Sequence, residues 1–291
     1  MPKFISRTIR HVDPIIRVWA AQAARARLDD EDYLGLIPIM AGDRFMPIRR
    51  EALVGLAEKY PDRSRPALIA SLLDSNASIR EVGRHYLEKS GIFDAPSFYR
   101  DCVGSGRPET LPQSIAGLGE TGTREDAALV GSWVAHPATK VRQAAIKALG
   151  RLDGDSRVDD LLRALEDDRP CVGRVAREAL RGRLRLVAGG RLWELFERDR
   201  RPHVRRHVLA LLAGLGKWAR LPYLIRACRD DEPAVNAQAR ALVGLWNAHF
   251  NRSFVTPSAD DLRLAAAALD ASRSALDPDD EKLLRFHLRG W

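Results

Sequence analysis

One phrase recurs along this chain: an acid, a short gap that often holds proline, an aliphatic residue followed by arginine, small residues, then Ala-Leu or a close equivalent. Its aliphatic anchors are Ile16, Ile48, Ile79, Leu111, Val141, Val172, Val204 and Val235, and the steps between them are 32, 31, 32, 30, 31, 32 and 31 residues. A period near 31 that never drifts by more than one residue leaves room for two short helices per repeat. A single helical hairpin cannot bury its apolar face alone, so such units must stack on their neighbours.

Within each copy the apolar and small residues fall at offsets 0, +3 or +4, +7 and +8 from the anchor, one face of a helix. Proline stands just ahead of several anchors, as in Pro47, Pro202 and Pro233, where a first helical turn tolerates it. Glycine ends others, as in Leu149-Gly150 and Leu215-Gly216. Shorter apolar segments supply the other helix of each pair: 33–40, 66–73, 127–134, 158–165, 191–196 and 221–228. No segment alternates with period two, so the reading predicts an all-α chain without a sheet. Asn247 to Pro257 breaks the period, and two more helices follow, with Ser258 and the Asp277-Pro278-Asp279-Asp280-Glu281 run as their starts. This predicts one solenoid domain over 1–291: about eight hairpin repeats in 1–246, then a C-terminal cap in 258–291 with a polar outer face.

The Asp…Val-Arg…Ala…Ala-Leu-Gly phrase, clearest at His136–Gly150 and Asp199–Leu212, resembles the HEAT repeat family, in the short bacterial form also seen in phycobilisome-lyase-like proteins. The resemblance runs from about Asp13 to Trp246 and implies an α-α superhelix with the second helices lining the concave side. It also implies that Arg17, Arg49, Arg80, Arg142 and Arg205 are structural, each tied to the acid of the turn before it; Asp43, Asp74 and Asp199 are suited to that pairing. Three copies depart from the pattern, with Pro112, Gly173 and Asn236 in the arginine position.

Charge is unevenly spread. The 47 basic residues include seven lysines and exceed the 39 acids by eight. Residues 171–230 alone carry a net of +10 and residues 1–28 a net of +5, so the remainder is acidic. The N-terminal segment is almost acid-free, rather like an organelle presequence, but Asp13-Pro14-Ile15-Ile16-Arg17 keeps the repeat, which favours a folded first copy and a cytoplasmic protein. Three scattered cysteines exclude a disulfide scaffold, and no apolar run approaches a membrane span.

Offset +2 and its helical neighbours point toward the expected groove. They nominate Arg50, Gln143, Lys147, Arg174, Arg177, Arg206 and His207 as partner-binding residues, a partly basic strip suited to carboxylates or phosphates. His203 and His207 share one helix face, but no third ligand accompanies them, and no metal or cofactor is expected. Cys102, Cys171 and Cys228 read as apolar thiols. Trp133 and Trp193 read as core, while Trp19 near the groove face and Trp218 at a turn could stack on bases or pack in an interface. No phosphate loop, nucleophile elbow, dinucleotide fingerprint or zincin motif occurs. The leading expectation is a non-enzymatic scaffold holding an acidic protein. The alternatives are nucleic-acid binding in the manner of the HEAT-like alkylpurine DNA glycosylases, whose site has no counterpart residue by residue here, and a bilin-lyase-like role.

Overall fold

The computed structural model describes residues 2–89, 91 and 93–290, and no strand occurs among them. The chain divides into two compact units, Met1–Val130 and Gly131–Trp291. The first holds four helical hairpins: α1 (Pro2–Thr8) with α2 (Pro14–Arg27), α3 (Asp30–Ala41) with α4 (Met46–Lys59), α5 (Pro61–Ser71) with α6 (Ala77–Lys89), and α7 (Ala95–Ser105) with α8 (Leu111–Thr121). The short α9 (Ala127–Gly131) lies at the division between the units. The second unit continues with α10 (Thr139–Leu152), then α11 (Val158–Leu165) with α12 (Pro170–Arg181), α13 (Gly189–Arg198) with α14 (Pro202–Leu212), and α15 (Leu221–Ala227) with α16 (Pro233–Ala248). It closes with α17 (Ala259–Ala271) and α18 (Pro278–Arg289).

The expected α-α superhelix of stacked hairpins is therefore present. The anchors are its core: from Ile48 to Val235 each is at most 1% exposed. Ile16 is half-buried. Second helices pack directly on one another, α2 on α4 on α6 in the first unit and α10 on α12 on α14 on α16 in the second. First helices up to α13 lean on second helices more than on each other, whereas α15 and α17 pack chiefly on one another. Glycine lets one neighbour approach closely: a Cβ on Gly117 would overlap the ring of buried Tyr99, whose hydroxyl donates to the Leu72 carbonyl at 2.9 Å.

The segment beyond Trp246 differs from the expected polar cap. Ser258 caps α17 in a reciprocal capping box with Asp261, and Asp277 caps α18, as the sequence suggests. Yet α17 packs on α15 and α18 on α16, so the pair extends the stack as a ninth hairpin. Its outer side is not wholly polar: Phe286 is 72% exposed, and Leu264 and Leu283 are exposed too. The intervening strap is held by Trp218, which donates to the Val255 carbonyl at 2.6 Å, and by Lys217, which donates to the carbonyls of Phe250 and Ser253 at 2.6 and 2.8 Å. Trp218 is buried against Trp246 and is thus a packing residue rather than a stacking platform. Trp291 lies outside the described residues.

Candidate functional site

The arginine ladder is structural, but it runs in the opposite direction to the one expected. Arg17 forms a bidentate pair with Asp43, Arg49 with Asp74, and Arg142 with Asp167, at 2.7–2.9 Å. Arg205 reaches Asp230 at 2.7 Å through one nitrogen. In each case the acid belongs to the following repeat, not to the turn before the arginine. The turn before it offers backbone instead: Arg17, Arg49, Arg80 and Arg142 each donate to the carbonyl six residues back, at 2.7–3.0 Å. One guanidinium therefore closes its own turn and clamps the next, a geometry that suits the five-donor fork and not an ammonium.

Each ladder aspartate also accepts the N–H two residues on, as Asp43 does from Phe45 and Asp167 from Arg169. Burial opposes the charge on Asp43 and Asp167, yet the hydrogen bonds from Arg17 and Arg142 and from those N–H groups hold both carboxyls below the usual range. Where the preceding repeat lacks the arginine, the acid is absent as well. His11, in the first copy, and His136, downstream of Pro112, accept the same turn N–H through Nδ1. In the fourth copy Gly106, at φ 62°, replaces the aspartate, and Arg80 pairs instead with Glu120 on α8. Asn236 closes its own turn through the Cys228 carbonyl at 2.6 Å and reaches nothing beyond it.

Gly173 makes the exception. Without an arginine from α12, Asp199 is neutralised by Arg201 of its own turn, which also donates to Asp168 of the preceding repeat at 2.7 Å. Two imidazoles fill the freed space: Nε2 of His203 donates to the Asp167 carbonyl and Nε2 of His207 to the Pro170 carbonyl, both at 3.0 Å. A Cβ on Gly173 would stand 2.9 Å from the His207 ring, so glycine and histidine fit as a pair. This seam is stitched backwards from repeat seven to repeat six. His207 is thus a seam residue whose Nε2 proton is used inside the fold, and among the described residues no three potential ligands group around a metal position.

The basic block is partly compensated in space. At least nine of the fifteen cations in residues 171–230 contact a carboxylate. Arg183 and Arg185 meet Asp155, Arg191 meets Asp159, Arg198 meets Glu166, and Arg201 meets Asp168. These acids lie one repeat upstream, so the +10 of the linear block overstates the field it projects. The nominated residues sort accordingly. Lys147 on α10 and Arg174 on α12 are exposed and make no hydrogen bond or ion pair among the described residues. Arg206 on α14 is exposed and donates only to the Gln238 amide at 3.0 Å. Gln143 is half-buried and donates to the Cys171 carbonyl at 3.2 Å, and Arg177 is half-buried beside Glu178 at 2.7 Å. Arg50 is exposed on α4 in the other unit. Lys147, Arg174 and Arg206 thus stand on three successive second helices. Sequence reasoning missed α7, the acids that answer the block, and the forward direction of the ladder. The co-occurrence of an arginine with an acid one repeat later was the readable signal for that direction.

With the repeats laid out, residues 102–181 match the family model for HEAT repeats. These residues are HEAT repeats. None of the curated proteins matches the chain. Among solved structures, an engineered protein shares 11% identity at a TM-score of 0.44, covering 99% of this chain and 88% of its own. The CpcE–CpcF complex of phycocyanin lyase from Nostoc sp. shares 17% at 0.33, with 84% and 94% covered. The Mot1 N-terminal domain in complex with TBP shares 13% at 0.40, with 99% and 42% covered.

The seam between α12 and α14 has a pH response of its own. Burial, and then the nearby cations Arg177, His203 and Arg206, lower the His207 pKa despite the bond to Pro170. Burial lowers His287, stacked 3.7 Å over Phe250, with Lys217 adding to the effect. A histidine with a depressed folded pKa contributes stability that is full above its unfolded value of about 6.5 and is lost as pH falls through the folded one. Thermal melting of the second unit should therefore begin to weaken below about pH 6.5, well above the range in which carboxylates ordinarily take up protons. His207→Asn should flatten the upper part of that decline; a melting temperature level from pH 7.5 to 5 in the parent would refute this account. No helix among the described residues is long and apolar enough to cross a membrane.

Proposed function

We propose that this chain is a non-enzymatic binding scaffold and that Lys147, Arg174 and Arg206 hold an acidic protein surface. One observation carries the reading: these three cations are exposed on successive second helices and touch no carboxylate, in a chain that pairs most of its other arginines. The close packing of α10 on α12 on α14, tighter than that of the first helices beside them, supports placing them on the inner, concave side, and Gln143 and Arg177 flank them there. A few fixed guanidinium and ammonium groups match carboxylates on a protein. They fall short of the six or more phosphate contacts typical of duplex DNA recognition.

The test is a triple variant, Lys147→Glu, Arg174→Glu and Arg206→Glu, at three exposed positions. Its helicity and melting should stay within about 1 kcal/mol of the parent, because exposed charges contribute little to stability. Capture of the parent's native protein partner should fall about tenfold or more. Parent binding should weaken with salt, with a log–log slope shallower than about −5. Unchanged capture by the variant would make the strip ordinary solvated surface. A steeper slope, with duplex DNA as the retained ligand, would replace the protein partner with nucleic acid.

A further inference from the structure

Among the described residues, α2 and α18 each expose a helical stripe that carries large apolar side chains. At the N-terminal end, α2 exposes Ile15, Trp19, Gln22 and Ala26, spaced i, i+4, i+7 and i+11, with Ile15 57% and Trp19 65% exposed. This side is turned away from α4, toward which Arg17 and Arg25 reach through Asp43 and Glu51. In later repeats the position of Trp19 is filled by residues that touch the preceding second helix: Glu51 meets Arg25, His207 meets the Pro170 carbonyl, and Gln238 meets the Arg206 carbonyl. Trp19 therefore faces the place where a preceding second helix would stand. At the C-terminal end, α18 buries Leu284 and lays His287 on Phe250. Its other side exposes Asp279, Leu283, Phe286 and Gly290 at the same i, i+4, i+7 and i+11 spacing.

In a hairpin stack the leading side of one repeat packs on the trailing side of another, with second helices side by side and parallel. The two free stripes are those two sides. Their charges oppose: residues 1–28 carry a net of +5, while residues 258–291 hold seven acids and five bases. The first turn of α18 bears Asp279, Asp280 and Glu281, and the N-terminal hairpin bears exposed Arg10 and Arg27. We propose that the occupant of each end is a second copy of this chain, with α18 of one copy packed along α2 of the next, Leu283 and Phe286 against Ile15 and Trp19. The contact is heterologous, so it propagates into rings or filaments rather than stopping at a symmetric dimer. It is separate from the cationic strip on α10, α12 and α14.

Sedimentation velocity over about a hundredfold range of concentration tests this. The parent should shift from the 32.4 kDa monomer to larger species as concentration rises. Trp19→Glu and Phe286→Glu replace exposed residues and should keep the parent's circular dichroism. Each alone should weaken association about tenfold or more. Mixed together they should form a one-to-one dimer, because each retains the end that the other has lost. The triple Glu variant of the strip should associate like the parent, so failure of one proposal leaves the other standing. A parent that stays monomeric throughout would overturn the inference. So would a Phe286→Glu protein that still dimerises, since that joins two N-terminal ends.

Discussion

Val204→Asp should remove the cooperative melting of the second unit at temperatures where the parent is folded. Val204 is fully buried in a core that runs through Val172, Val208, Leu224 and Val235. A carboxylate placed there loses its water and meets only aliphatic carbon, at a cost of about 4 kcal/mol or more, even after it takes up a proton. That is a large share of a typical domain's stability. Stacked repeats contact only neighbours, so loss of order should spread from the α13–α14 hairpin to α12 and α16. Hydrogen exchange should show amides of α13–α16 losing protection while those of α3–α6 keep theirs. Val204→Ala removes only methyl contacts and should cost about 2 kcal/mol. If the aspartate variant melted like the parent, Val204 would not be core, and the anchor reading would fail with it.

Arg142→Ala should lower the stability of the same unit by about 3 kcal/mol, or about 10 °C in Tm. The guanidinium makes two bonds to Asp167 and two to the carbonyls of His136 and Pro137, and both side chains of the ion pair are only about 15% exposed. Without it a mostly desolvated carboxylate is left to its own turn N–H, and two carbonyls lose their donor. Arg142→Lys should recover less than half of the loss, because one ammonium cannot span four acceptors. Combining Arg142→Ala with Asp167→Asn should restore part of it, since the amide needs no counter-charge. A lysine variant as stable as the parent would show the clamp to be a simple charge pair. The loss should also be larger than for Arg174→Ala, an arginine of the same unit that touches no carboxylate.

Period and anchors were legible because they are local. An apolar stripe at helical spacing must be covered, and a 31-residue step permits only a hairpin, so Ile48 through Val235 could be named as core from the chain alone. Helix starts at Ser258 and Asp277 were legible for the same reason: a cap is a bond between residues three or fewer apart. The candidate site was less legible. Lys147, Arg174 and Arg206 could be nominated by offset, but so could His207 and Gln143. Nothing within one repeat distinguishes a side chain that reaches solvent from one that reaches the neighbouring carbonyl.

That distinction depends on the facing repeat. Gly173 admits the His207 ring because it has no Cβ, and Asp199 turns to Arg201 because Gly173 has no guanidinium. Part of the +10 block is offset by Asp155, Asp159, Glu166 and Asp168 one repeat upstream, brought alongside by the stacking of hairpins about 30 residues apart. Composition and periodicity by themselves determine that the chain is a helical stack and which residues form its spine. The direction of the arginine clamps, the cations left free, and the apolar ends of α2 and α18 follow from which repeat stands beside which. A repeat carries the same phrase whether or not a neighbour is there to cover it.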